Sequence, residues 1–147
     1  MQYHIFTNKK RKGWPMANTK FSKQREAIKN YLANTTDHPT ADVVYENIQK
    51  IYPNISLGTV YRNLNFLVEH GEILKLSCDD ERDHYDANTN PHHHFYCRCC
   101  HRVTDLPIPA FQPEELLGDY QFPGQIDTCV TYFIGTCSSC MECEEVS

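Results

Sequence analysis

TADVVYENIQKIYPNISLGTVYRNLNFLVEHGEILKL, residues 40–76, carries two amphipathic periods with a very short break between them. Thr40 can cap a helix in which Val44, Ile48 and Ile51 fall at helical spacing. Tyr52-Pro53 stops it, because a residue before proline is driven out of the helical region. Ser56 can cap the next helix, with Val60, Leu64, Leu67 and Val68 on one stripe. Gly71 stands just past its end, where a left-handed C-cap is wanted. Only PNI joins the two, which is a helix-turn-helix spacing.

Upstream, Ser22 can cap a further helix with Ala27, Ile28, Tyr31 and Leu32 on one face. Downstream, EILKL (72–76) alternates and runs into SCDDERDHYD, a pattern that predicts a β-hairpin with an acidic tip. Three helices followed by a hairpin make a winged helix, whose third helix would enter the major groove of DNA. Its polar face carries Thr59, Tyr61, Arg62, Asn63 and Asn65. Arginine can read guanine and asparagine adenine. An ordinary helical bundle with a solvated face is the plain alternative.

Residues 1–18 show no helical or strand period and are expected to form a flexible basic tail, with the run Lys9, Lys10, Arg11, Lys12. The winged helix is expected over 19–86 and a hinge of turn residues over 87–91. Beyond the hinge, HFYC (94–97), RVTDLP (102–107) and CVTYFIG (129–135) are strand candidates. Residues 113–117 are a short helix candidate, with proline in its first turn. A small α+β domain over 92–147 results. Its core is thin, so a metal staple or a dimer partner is expected.

The formal net charge of −5 is unevenly spread. Residues 1–76 carry +5 and residues 77–147 carry −10, the latter without a lysine. Only the first half suits a polyanion, although without the run at 9–12 its excess falls to +1. No apolar run is long enough to span a membrane. No secretory leader opens the chain. A cytoplasmic protein with reduced thiols is expected, so its eight cysteines read first as metal ligands.

Cys97-x-x-Cys100 and Cys137-x-x-Cys140 can each place two thiolates on a knuckle turn, and two such pairs complete a tetrahedral four-cysteine zinc site. Closure of the pairs as redox disulfides is the alternative. Cys99 lies inside the first pair and Cys143 follows the second, so either could substitute on paper. Cys78 and Cys129 read as packing residues. A second constellation lies in NPHHHFYC. His92 and His94 alternate, so on a strand they share a side while His93 points away. Asp86 precedes them and Asp105 follows. Imidazoles with carboxylates suit Fe2+, Mn2+ or Zn2+.

HPTADVVYENI (38–48), ISLGTVYRNLNFL (55–67), HYD (84–86), HHHFYCRCC (92–100) and GTCSSC (135–140) together resemble the ferric-uptake-regulator (Fur) superfamily. The resemblance runs from about residue 21 to 140. It implies a dimeric, metal-dependent repressor with an N-terminal winged helix and a C-terminal α+β dimerisation domain. Within the superfamily the spacing is most similar to the peroxide-sensing branch, PerR. That branch implies a regulatory metal held by His38, Asp86, His92, His94 and Asp105. The sequence alone would make His38 a loop histidine. Aspartate rather than glutamate at 105 favours the same branch.

Two departures stand out. The usual first helix ahead of FSKQR is not evident. Pro91 and Gln112 stand where two ligands of a further metal site in iron-responsive members are expected, so no such site is predicted.

The expected function is repression from a palindromic operator by a homodimer. It would carry structural Zn2+ and regulatory Fe2+ or Mn2+, with no organic cofactor and no membrane partner. Peroxide acting on the Fe2+ form would oxidise His38 or His92. The competing readings are a sensor of metal availability, a thiol redox switch and a small zinc enzyme.

Overall fold

Ser56 and Gly71 bracket the helix around which the N-terminal half is built. The Ser56 hydroxyl accepts the Thr59 amide at 3.2 Å. At the other end Gly71 has φ +66°. Its amide donates to the Val68 carbonyl at 3.0 Å, and the Glu72 amide to Leu67 at 2.9 Å. This paired closure needs a left-handed residue, and an added Cβ at Gly71 would meet nothing within 4 Å. Glycine is therefore set by its dihedral and not by space.

The computed structural model describes residues 19–78, 81–111, 117–125 and 130–144. Three helices come first: α1 (Thr19–Ala33), α2 (Ala41–Gln49) and α3 (Leu57–Glu69). A hairpin of β1 (Leu74–Ser77) and β2 (Asp83–Asp86) follows, then β3 (His93–Cys97), β4 (Val103–Leu106), β5 (Thr131–Gly135) and α4 (Ser138–Glu144). The predicted tail, all but the last residue of the helix candidate at 113–117, and Cys129 lie outside the described residues. Among the described residues no helix is long and apolar enough to cross a membrane.

Ile28, Leu32, Val44, Ile48, Val60, Leu64 and Leu67 meet in one core, joined by Ile73 just ahead of the hairpin and Tyr85 within it. Each buried aliphatic side chain contributes about 1.5–3 kcal/mol. Two local expectations need correction, and that for Thr40 holds in position alone. The first helix begins at Thr19, so Ser22 lies within it and not at its cap. Thr40 has extended cap geometry but makes no side-chain cap bond. Ile51 is 63% exposed, because α2 ends at Gln49 and the periodic stripe outruns the helix.

The hairpin strands pair antiparallel, with Lys75 opposite Tyr85 and Leu76 opposite His84. Alternation sends Tyr85 into the helical core and Leu76 into a second core with Tyr96 and Val103. That second core lies against a three-stranded sheet of order β4-β3-β5. β3 is central, antiparallel to β4 and parallel to β5. Cys78 packs half-buried against this core, as expected of a packing residue.

Candidate metal centres and the recognition helix

His38, Asp86, His92, His94 and Asp105 each offer a donor atom within 4.8 Å of all the others. Each reaches the cluster for a local reason. In the β3–β4 register His94 stands directly opposite Asp105. Asp86 ends β2, and its Oδ1 accepts the Asn88 amide at 2.8 Å, which leaves Oδ2 to face the histidines. Asn88 in turn accepts the Asn90 amide at 3.2 Å. These successive turns carry the chain to His92, just ahead of β3.

His38 comes from the loop before α2 and has φ +46°. A left-handed conformation costs a non-glycine residue about 1–2 kcal/mol. Several contacts hold it. Thr40 bridges to His84. The Tyr85 amide donates to the Pro39 carbonyl at 3.1 Å. The His84 ring Nδ1 donates to the His38 carbonyl at 2.7 Å.

The imidazoles of His38 and His92 are oriented by backbone carbonyls. Nδ1 of His38 lies 2.9 Å from the Thr36 carbonyl, and Nδ1 of His92 lies 2.7 Å from that of Asn90. A carbonyl only accepts, so the proton sits on Nδ1 and the Nε2 lone pair faces the cluster. Nε2 of His38 is 2.8 Å from Asp105 Oδ1 and 3.4 Å from Asp86 Oδ2. Nε2 of His92 is 2.9 Å from Asp86 and 3.1 Å from Asp105. Nε2 of His94 is 3.3 Å from Asp86. Lone pairs opposed to carboxylate oxygens at such distances repel unless a cation or an added proton lies between them.

The proton-loaded alternative shows in the electrostatics. Burial lowers the His38 pKa, but the hydrogen bond and charge of Asp86 and the charge of Asp105 outweigh it and raise the value. Burial likewise raises Asp86, but hydrogen bonds from His38, His94 and the Asn88 amide hold it well below the usual carboxylate range. The donors fit a divalent cation of the Fe2+, Mn2+ or Zn2+ kind. His93 points away, as expected. Its ring bonds the Thr131 hydroxyl and the Pro109 carbonyl and packs on Phe111.

Cys97, Cys100, Cys137 and Cys140 form the second cluster, also within 4.8 Å of one another. The parallel register aligns Cys97 with Gly135, so both knuckles leave the same end of the sheet. Cys100 Sγ lies 3.8 Å from Cys137 Sγ. A tetrahedron with Zn–S bonds of about 2.3 Å has an edge of that length. The Cys137 amide donates to Cys97 Sγ at 3.3 Å. Amides of Cys100 and Cys137 bring the Cys97 thiol down to about 6, whereas the neighbouring Cys137 thiol pushes Cys140 up. One thiolate, that of Cys97, is thus readily formed. Cys99 is exposed and outside the four, and Cys143 falls in the last turn of α4.

On α3, Tyr61 and Arg62 are exposed and Thr59 is half-buried. Arg62 donates to the Thr59 hydroxyl at 2.9 Å, which pairs with Ser56 at 2.9 Å. Asn63 departs from the expected polar face. It is buried, its amide donates to the Thr59 carbonyl at 2.9 Å, and its oxygen accepts from Arg25 at 3.3 Å. Position 63 falls on the stripe of Val60, Leu64 and Leu67, turned towards α1. Arg25 itself lies 3.4 Å over the Phe66 ring. Nothing in the sequence singled out Arg25 or the ring-orienting carbonyls of Thr36 and Asn90.

Residues 16–122 match the family model described as "Ferric uptake regulator family". The chain belongs to the ferric uptake regulator family. Over 126 residues it is 31% identical to the peroxide-responsive repressor PerR of Staphylococcus epidermidis, covering 86% of this chain and 84% of that protein. The Staphylococcus aureus PerR is 30% identical over the same length. Among solved structures, the Campylobacter jejuni peroxide stress regulator superposes with TM-score 0.67 at 28% identity, covering 83% of this chain and 92% of that one. The Helicobacter pylori Fur superposes with TM-score 0.66 at 24% identity, covering 81% and 80%, and shares the fold. The Fur fold with its winged helix is as the sequence predicts. Fur-family members are DNA-binding, dimeric transcriptional regulators and not enzymes, which removes the small zinc enzyme.

Proposed function

We propose that this Fur-family chain is a metal-dependent repressor that loses DNA when hydrogen peroxide oxidises it. The observation that carries this reading is the convergence of His38, from the helical half, with Asp86, His92, His94 and Asp105. His38 and Asp86, held together by the contacts of residues 38–40 with β2, meet His92, His94 and Asp105 only when the two halves are closed as here. Filling the site therefore selects the closed arrangement through differential affinity. Cys97, Cys100, Cys137 and Cys140 would hold a structural Zn2+, whose binding energy is also folding energy for a half with a thin core.

In the homodimer, two α3 helices would meet the half-sites of a palindromic operator. Tyr61 and Arg62 are the exposed contacts, with Thr59 holding the arginine. Phe133 and Ile134 are exposed on β5, which is an edge strand among the described residues, and an apolar edge suits a second copy of the chain. A reducing cytoplasm suits the free thiols.

The regulatory ion is Fe2+ or Mn2+. Overall one C–H of the ligand rings would become C–OH while peroxide leaves as water, a two-electron oxidation of the ring for which Fe2+, when bound, would supply the redox chemistry. His38 and His92 offer those rings, each fixed by a carbonyl on Nδ1. An oxidised ring binds metal weakly, and the closed arrangement is lost. The PerR relatives support the peroxide reading over sensing of metal availability.

Peptide mass spectrometry tests it. Zinc-loaded protein receives Fe2+ without oxygen and then about one equivalent of peroxide, with Mn2+ as control. One added oxygen on His38 or His92 with iron alone is expected. Unmodified histidines with iron bound would leave a repressor that senses metal availability.

A further inference from the structure

His84 is buried, lies on the hairpin and is not among the five clustered donors. Its ring faces the backbone of the loop that carries His38. Nδ1 of His84 meets the His38 carbonyl at 2.7 Å. The same residue forms the isolated bridge to Thr40, and its neighbour Tyr85 donates to the Pro39 carbonyl at 3.1 Å. Together these contacts clamp residues 38–40 onto β2. His38 is left-handed, with φ +46°. A non-glycine residue keeps that conformation only where its surroundings impose it.

We infer that His84 is a positioning residue for the regulatory site: by donating from Nδ1 to the His38 carbonyl, it holds the loop in the turn that aims His38 Nε2 at Asp86 and Asp105. This deepens the metal-site reading above and rests on it. It also gives the hairpin a role in metal affinity. The contact runs from the His84 ring to the backbone of a ligand residue, so its loss would misaim His38 without touching any donor atom. Outer contacts of this kind change metal affinity about 10–100-fold.

Two substitutions separate the hydrogen bond from the packing. His84→Phe keeps a ring and removes the donor. His84→Asn places an amide N–H where Nδ1 stands. Mn2+ affinity of the zinc-loaded dimer is read from the electron paramagnetic resonance signal of free Mn2+, beside His38→Ala and the double variant His38→Ala/His84→Phe. We expect His84→Phe to weaken Mn2+ binding about 10-fold or more and His84→Asn to restore most of it. The double variant should bind no more weakly than His38→Ala, because the clamp acts only through His38.

Unchanged affinity in His84→Phe, or additive losses in the double variant, would overturn the inference. Wild-type affinity in His38→Ala would overturn the five-donor reading itself and this inference with it. Should His84→Phe not fold, the ring nitrogen spectrum of the zinc-loaded wild type decides. A proton on His84 Nδ1 supports the clamp, and a bare Nδ1, which cannot bond a carbonyl, overturns it.

Discussion

Nε2 of His38 lies 2.8 Å from Oδ1 of Asp105, which joins the turn ahead of α2 to strand β4. The pair links the helical half to the sheet. Without a cation or an added proton between them, opposed lone pairs push the two apart. Mn2+ should therefore protect the connecting residues 87–91 from limited proteolysis in the wild type. In His38→Ala the same Mn2+ concentration should protect less, because the site has lost its donor from the loop ahead of α2 and binds the ion more weakly. Equal protection in both would detach closure from His38.

The four-cysteine cluster should behave as a folding element. Cys137→Ser is expected to lose zinc and with it the tertiary packing of the β3–β5 sheet, read as loss of near-ultraviolet circular dichroism. The apparent energy of such a site is about 10–16 kcal/mol in small zinc domains, far more than this core can replace. Cys99→Ser should keep both zinc and fold. A zinc content that fell equally in both variants would reassign the ligands.

Arg62 and Asn63 are neighbours in sequence with opposite expected phenotypes. Arg62→Ala should weaken operator binding and leave the melting temperature unchanged, since its side chain is exposed. Asn63→Ala should lower stability by about 1–3 kcal/mol by leaving the Arg25 donor and the Thr59 carbonyl short of a partner. Its DNA binding, measured well below its melting temperature, should stay close to wild type. Thermal melts alongside fluorescence anisotropy separate the two.

Tyr85 is the alkaline weak point. Burial, reinforced by the charge of Asp83, pushes its phenol from 10.0 to about 12. Below pH 10 the phenol is neutral in the folded and unfolded chains alike, so pH does not act on it. Above that the unfolded chain ionises first, and stability falls until the folded phenol ionises in turn. The loss is roughly 2–3 kcal/mol across that window. Tyr85→Phe should lose correspondingly less stability between pH 10 and 12 in urea melts. Parallel curves for the two proteins would show that Tyr85 contributes nothing to the alkaline loss.

The helices are legible in the sequence where side-chain chemistry and period agree. Ser56, the stripe from Val60 to Leu67, and Gly71 all fix α3, and all three are local signals. Asn63 is misread when polarity is given more weight than position. Its spacing from Val60 and Leu67 already puts it on the inner face. Ile51 fails the other way, since the stripe continues after the backbone has left the helix. Of the metal-site candidates, His92, His94 and the two CxxC pairs are legible from short spacings. His38 is not, because its role depends on a left-handed turn held by strand β2, and no period in residues 36–40 encodes that. Only resemblance brings it in. His84 is hidden for the same reason, being tied to the site through a backbone carbonyl far away in the chain.

The hairpin serves two masters. Its Tyr85 belongs to the helical core, and its Leu76 belongs to the core beneath the sheet. In the closed arrangement a strand pair so shared passes the loosening of either core on to the other. The two halves should therefore lose hydrogen-exchange protection together along β1 and β2, as one cooperative block, even where a linker suggests independent parts. In such a chain the wing is also the keel, and damage to either core reaches the other through four residues of strand.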